Sequence, residues 1–318
     1  VATIVNKTLG PGKDYASLKA LSDADVDLVA ADQAWVVACD NFDDTTAGAS
    51  FDLWVTSSTC YLKLIAATKH GSHGTIKTTA YRRTVDATTF SRIGNGGLII
   101  LDGLQLSSVG GAGAAANIGT VRILNSIIRK TASGAAILMN SGATQTGFEV
   151  INSVVISEAY SAALGALYQE YGAFKAYNSA FIHLDAANGY GLRGAHSSLG
   201  SCIIKNCYVA GKTGGLKDPS WYTITICATS DDSSTTVALR NIARSDVNFL
   251  DGDAATLDLS LIAGSALIGV GTDVSGESAP WNVLTDIDGN PRVVPYDVGP
   301  DAMAQAGGSG KAFFVIGW

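Results

Sequence analysis

One six-residue pattern of apolar and polar positions, apolar-x-Asn-Ser/Cys-apolar-apolar, recurs through the middle of the chain. It reads Ile123-Leu124-Asn125-Ser126-Ile127-Ile128, then Val150-Ile151-Asn152-Ser153-Val154-Val155. It returns as Ala176-Tyr177-Asn178-Ser179-Ala180-Phe181 and as Ile204-Lys205-Asn206-Cys207-Tyr208-Val209. Leu101-Asp102-Gly103-Leu104-Gln105-Leu106 is an earlier, divergent copy; Asp102 lies 23 residues before Asn125, and the later asparagines follow at intervals of 27, 26 and 28. Such intervals are too short for βαβ units, which need roughly 30 or more residues. Each interval also holds short β-branched runs broken by Gly, Asn or Ser. Gly119-Thr120-Val121-Arg122-Ile123 and Gly200-Ser201-Cys202-Ile203-Ile204 both lead into the motif. Self-similarity at this period is the mark of a solenoid.

A flat sheet has no need of the same polar residue at every turn, whereas coils stacked ~4.8 Å apart do. An Asn at the corner of one coil then lies over the Asn of the next, and its amide bonds along the stack. Asn125, Asn152, Asn178 and Asn206 are therefore expected to form a structural asparagine ladder. Trp35–Cys39, Tyr61–Ile65 and Leu98–Leu101 are expected strands of earlier coils, and Trp221–Ile226 and Thr236–Leu239 strands of later ones. Cys39 and Cys60 end comparable runs, which predicts core thiols stacked one coil apart.

This pattern resembles the right-handed parallel β-helix of the pectate-lyase type, over roughly residues 30–270. The likeness is one of architecture and not of a catalytic motif. It implies an all-β fold: a single-stranded right-handed parallel β-helix solenoid with a short N-terminal capping helix and an irregular C-terminal cap. The expected division is a cap at 1–29, the β-helix at 30–270, and a C-terminal cap with an apolar tail at 271–318. Solenoid ends need such caps because they expose strand edges and an open core. Asp14-Tyr15-Ala16-Ser17-Leu18-Lys19-Ala20-Leu21 supplies a helix with Asp14 as N-cap candidate and Leu18 and Leu21 on one face.

Both ends resemble those of phage and bacterial β-helix proteins. At the start the similarity lies in Gly12-Lys13-Asp14-Tyr15-Ala16-Ser17-Leu18. At the other end it lies in Gly269-Val270-Gly271-Thr272, Asp286-Ile287-Asp288-Gly289-Asn290-Pro291-Arg292 and Tyr296-Asp297-Val298-Gly299. Phe313-Phe314-Val315-Ile316-Gly317-Trp318 is an apolar tail expected to dock on the body or on a partner chain.

Composition narrows the function classes. The 318 residues are 47% hydrophobic and 15% charged, which excludes disorder as the main state. No stretch approaches the ~20 uninterrupted apolar residues of a spanning helix. A formal charge of −7 argues against a duplex nucleic-acid binder. The five cysteines, Cys39, Cys60, Cys202, Cys207 and Cys227, are odd in number and form no C-x-x-C pair, so reduced buried thiols are expected. Val1-Ala2-Thr3-Ile4-Val5 lacks the marks of a signal peptide; removal of an initiator Met and of an earlier leader both fit it.

The chemistry of polysaccharide enzymes is mostly missing. Hydrolases of the polygalacturonase type carry Asn-x-Asp, Asp-Asp, Gly-His-Gly and Arg-x-Lys in that order. Here Asp231-Asp232 follows the nearest echo, Gly194-Ala195-His196, and no Arg-x-Lys comes after. Glu158, Tyr160, Glu170, Tyr171, His183, Asp185, Arg193 and His196 each follow a strand by a similar offset. They are carbohydrate-binding candidates, because solenoids carry binding residues on lines of loops; ordinary polar loop residues are the competing reading. No catalytic residue is assigned.

No metal site and no cofactor are expected. His70 and His73 have metal-like spacing without a third ligand, and Gly110-Gly111-Ala112-Gly113 lacks the setting of a phosphate loop. Calcium is the one cofactor alternative, at Asp286-x-Asp288-Gly289-Asn290, which lacks the distal Glu of an EF-hand.

The resemblance favours a virion-associated structural or receptor-binding protein of a phage: a tailspike, fibre or capsid decoration made in the host cytoplasm and contacting host surface polysaccharide. Its partners would be itself, as a trimer, and other virion proteins, with no nucleic acid and no membrane insertion. The alternative is a secreted or periplasmic polysaccharide lyase or glycoside hydrolase acting on an acidic polysaccharide. Ice binding finds little support, since Thr-x-Thr occurs only sporadically, as at Thr223 and Thr225.

Overall fold

The computed structural model describes residues 1–46, 48–51, 53–70, 77–85, 97–109, 114–116, 119–139, 146–159, 165–169, 172–184, 189–194, 202–211, 214–217, 222–229, 261 and 265–302. Thr236–Leu239, Gly110–Gly113 and the apolar tail fall outside these residues.

The strands form three sheets. In the first lie β1 (Thr3–Leu9), β2 (Gln33–Cys39), β4 (Leu62–Ala66), β6 (Leu98–Asp102), β9 (Gly119–Leu124), β12 (Thr146–Ile151), β15 (Ala173–Tyr177), β18 (Cys202–Lys205) and β21 (Thr223–Thr225). In the second lie β3 (Asp43–Asp44), β5 (Arg82–Val85), β7 (Gln105–Ser108), β10 (Ile127–Ser133), β13 (Val154–Ala159), β16 (Ala180–His183), β19 (Tyr208–Ala210) and β22 (Ala228–Thr229). The third holds β8 (Ala114–Ala116), β11 (Ile137–Met139), β14 (Gly165–Gln169), β17 (Tyr190–Gly194) and β20 (Gly214–Lys217).

Neighbouring strands in all three sheets are parallel. From β6 onward the chain visits the first, second and third sheet in turn. This is an all-β fold of stacked parallel strands, as the repeat predicted, and it is consistent with a parallel β-helix.

Strand alternation decides what is buried, because successive side chains point to opposite faces. In the first sheet Val37, Leu64, Leu101, Ile123, Val150, Ala176 and Ile204 stand in register. The second sheet aligns Leu106, Ile128, Val155, Phe181 and Val209. The third aligns Ile137, Leu167, Leu192 and Leu216. All three columns belong to one continuous core.

Toward the N-terminus the second column turns charged. Asp44 and Arg83 are both fully buried and paired at 3.3 Å. The Asp44 carboxylate also accepts from the Leu18 N–H at 2.7 Å and the Tyr81 hydroxyl at 3.3 Å. These bonds offset the desolvation that a buried ion pair costs, and they fasten the helix α1 (Leu18–Ser22) to the sheets.

The helix is shorter than predicted, and its N-cap is Ser17, whose Oγ accepts from Ala20 N–H at 3.2 Å. Asp14 instead accepts from the backbone N–H and the hydroxyl of Thr8, both at 2.8 Å. Its carboxylate is drawn to the strand rather than to the helix. Leu18 and Leu21 are buried as expected, while β1 already forms part of the first sheet, paired with β2.

The five cysteines are free and buried. Cys39 and Cys60 do not stack: Cys39 lies opposite Ala66, and the Cys60 thiol faces Asp32 at 3.9 Å. Cys39 is the last residue of β2, whereas Cys60 precedes β4, so the two do not end comparable strands. Cys207 and Cys227 instead occupy one column on successive coils, as the Tyr208–Ala228 register requires.

Candidate functional site

The repeated motif builds the corner between the first and second sheets. Asn125, Asn152, Asn178 and Asn206 have φ of 46°, 54°, 47° and 51°. Asn tolerates this left-handed conformation better than most residues; Gly103, at φ 73°, fills the same place one coil earlier.

The amides bond along the stack. Asn125 Nδ2 donates to Asp102 at 3.0 Å, Asn152 Nδ2 to Asn125 Oδ1 at 3.1 Å, and Asn206 Nδ2 to Asn178 Oδ1 at 3.0 Å. Between Asn152 and Asn178 the chain of bonds breaks. Asn152 Oδ1 accepts from Arg292 at 3.0 Å, and Asn178 Nδ2 has no partner among the described residues.

A second ladder runs beside the first. Ser126, Ser153 and Ser179 each donate to the carbonyl two residues back, at 2.6 to 2.8 Å. Their oxygens accept from the previous coil: Leu104 N–H to Ser126, Ser126 N–H to Ser153, Ser153 N–H to Ser179. Cys207 and Cys227 continue the column, donating to the carbonyls of Lys205 and Thr225. In the sequence this ladder is the Ser or Cys that directly follows each motif asparagine.

Residues 265–301 lie along this corner as a clasp. Asn206 donates to Thr272 O at 2.9 Å and accepts from Thr272 N–H at 2.8 Å. Asn152 donates to Thr285 O at 2.9 Å. Leu267, Ile287 and Val298 pack on the outward column Ile127, Val154, Ala180 and Tyr208, and Val274, Trp281 and Tyr296 pack on Ile151 and Tyr177.

Arg292 is the clasp's central donor. It reaches the carbonyls of Thr285, Gly299 and Pro300 at 3.0, 2.9 and 2.7 Å as well as Asn152. Burial lowers its pKa to about 10, against the opposing pull of Asp286, Asp297 and Asp301. The loop that echoes a calcium site is closed on itself: Asp286 accepts from Asp288 N–H, Asn290 N–H and Asn290 Nδ2 at 2.8 to 3.0 Å. Among the described residues no group of three or more His, Cys, Asp or Glu is placed to hold a metal.

Three of the eight carbohydrate-binding candidates are described. Glu158 pairs with Arg129 on the outer face of the second sheet. His183 is buried, 1% exposed, and therefore closed to a polymer in solution. Arg193 is half-buried on β17, over the Tyr168 ring at 5.5 Å. Tyr160, Glu170, Tyr171, Asp185 and His196 lie outside the described residues. His70 is buried, and His73 is outside.

The outer face of the third sheet collects residues that the sequence reading missed. Tyr168, Arg193 and Lys217 stand in register on β14, β17 and β20. Beside them Tyr190 aligns with Gly165 and Gly214, and Lys217 Nζ lies 5.7 Å from its ring centre. All four side chains are half-buried, and β11, β14, β17 and β20 contain no Asp or Glu. Within a chain of net charge −7 this is a positive, aromatic face. The available signal was spacing: positions 168, 193 and 217 recur at the repeat period.

Compared with family models, curated proteins and solved structures, the chain has no match.

Proposed function

We propose that the chain is a right-handed, closed parallel β-helix that serves as a structural and receptor-binding protein of a phage virion and contacts an acidic surface glycan. The observation that carries the glycan contact is the third sheet's face. Arg193 and Lys217 stand on Tyr168 and Tyr190 without a carboxylate on the neighbouring strands. The rings offer apolar surface to sugar C–H faces, and the cations meet carboxylates or sulfates. The virion role and the trimer rest on the likeness of both chain ends to phage β-helix proteins. Sheets held by two ladders and a clasp suit a stiff projection.

The test is binding of an acidic polysaccharide and of a neutral one to the purified protein, with an Arg193→Ala/Lys217→Ala variant alongside. Selective binding of the acidic polymer, weakened at least about tenfold in the variant and by added salt, is expected. Equal binding of both polymers, or an unaffected variant, overturns the glycan contact. Release of unsaturated oligosaccharides would show an enzyme instead. Light scattering reads the assembly: a mass near three times 32.7 kDa fits the trimer, and a monomer excludes it.

A further inference from the structure

A groove of about 230 Å³ lies on the outer face of the second sheet, away from the tyrosines of the third. Its frame follows from the register: Arg82, Gln105 and Ile127 stand in one column, and Thr84, Ser107 and Arg129 in the next. Ile127 and Val109 supply apolar wall. Gln105 is not available to a ligand, since its amide bonds Lys77 N–H at 2.6 Å and the Lys77 carbonyl at 3.0 Å.

What remains is two cations and three hydroxyls. Arg82 and Arg129 line the groove with the hydroxyls of Thr84, Ser107 and Thr131, and its lining contains no Asp or Glu. Each arginine is oriented from outside by one carboxylate, Arg82 by Asp43 at 2.7 Å and Arg129 by Glu158. Their side chains are only 27% and 18% exposed. Arg82 Nε is buried and has no hydrogen-bond partner among the described residues. A buried donor without an acceptor is costly unless something supplies one.

We infer that this groove binds a small amphipathic carboxylate, its head on Arg82 and Arg129 and its apolar body on Ile127 and Val109. Two guanidinium groups in a lining without a carboxylate select an acceptor-rich head, and their planar forks match a carboxylate. The volume lies below the roughly 300 Å³ at which pockets for drug-sized ligands begin, so the ligand is about one ring in size.

The experiment is ligand-observed NMR on the full chain with benzoate, its uncharged isostere benzamide, and glucuronate, which has the head without the apolar body. Benzoate should bind in the millimolar range, with benzamide and glucuronate each at least about tenfold weaker. Arg82→Gln, and Ser107→Phe to fill the groove, should each weaken benzoate at least about tenfold; circular dichroism checks that the variants fold, and Thr84→Ile replaces Ser107→Phe if that one does not. Absence of benzoate binding at about 10 mM overturns the assignment. So does benzamide or glucuronate binding as well as benzoate, or indifference to both substitutions.

Discussion

A Cβ placed on Gly189 would lie 2.0 Å from Cδ2 of the His183 imidazole. Gly189 also has a φ of 122°, a conformation that L side chains rarely adopt. The glycine is thus the space into which the buried histidine fits, and the two positions form one packing unit at the end of β16.

Gly189→Ala should therefore destabilise the protein by about 3 kcal/mol or more. His183→Ala in the same background should return part of the loss by removing the clash, while the backbone strain stays. Urea unfolding of the four members of the cycle measures the coupling. Additive losses would show that the ring and the glycine do not meet.

Loss of Arg292 should open the clasp without dissolving the sheets. Arg292→Met leaves Asn152 Oδ1 and the carbonyls of Gly299 and Pro300 without their shared donor. A cost of about 3 kcal/mol is expected. The variant should keep its β-type circular dichroism, bind a hydrophobic dye through the uncovered Ile127–Tyr208 column, and be cut by protease within 265–301. A dye response equal to that of the parent would mean that the apolar contacts hold the clasp unaided.

Ser153 both donates and accepts at its corner. Ser153→Ala strands the Ser126 N–H and should cost about 1–2 kcal/mol. Ser153→Cys should cost less, because Cys207 already does this double work: it donates to Lys205 O, and Ser179 N–H bonds its sulfur. Thermal melts of the two variants decide the order.

Alkali should unfold the protein through its thiols and a phenol. Burial raises the pKa of Cys39, Cys207, Cys202 and Tyr81. Each keeps its proton in the folded chain at a pH where the unfolded chain has released it. The folded state then binds more protons, so the stability these groups contribute is present below their ordinary values and lost as pH rises above them. Decline should begin near pH 9, the ordinary thiol value, and continue through pH 10, that of the phenol. Arg292, lowered to about 10, acts with the opposite sign above that pH, because the unfolded chain then holds the extra proton. The four raised groups should outweigh it. At neutral pH a thiol reagent should titrate the five cysteines only after denaturant is added.

The repeat was legible because one corner residue has to solve the same problem in every coil. A left-handed turn with a buried amide leaves Asn125, Asn152, Asn178 and Asn206 little freedom to differ. Ser153 and its neighbours stood in the same motif, but a serine there also reads as a turn residue, and its acceptor role appears only once coils are stacked. Tyr168 and Lys217 were illegible for another reason: pairing them with Arg193 requires the strand register, which unequal loop lengths hide. Asp14 looked like a helix cap because its nearer partner, Thr8, is brought to it by a turn.

A ladder of like rungs carries no positional information. Asn152 would meet an asparagine equally well if a coil slipped by one repeat, and so would its neighbours. The clasp breaks that degeneracy. Thr272 addresses Asn206, and Arg292 addresses Asn152, two rungs away along a segment of fixed length. A coil inserted or deleted between those rungs would leave one of the two contacts unmade, so the last part of the chain proofreads the count of the part before it.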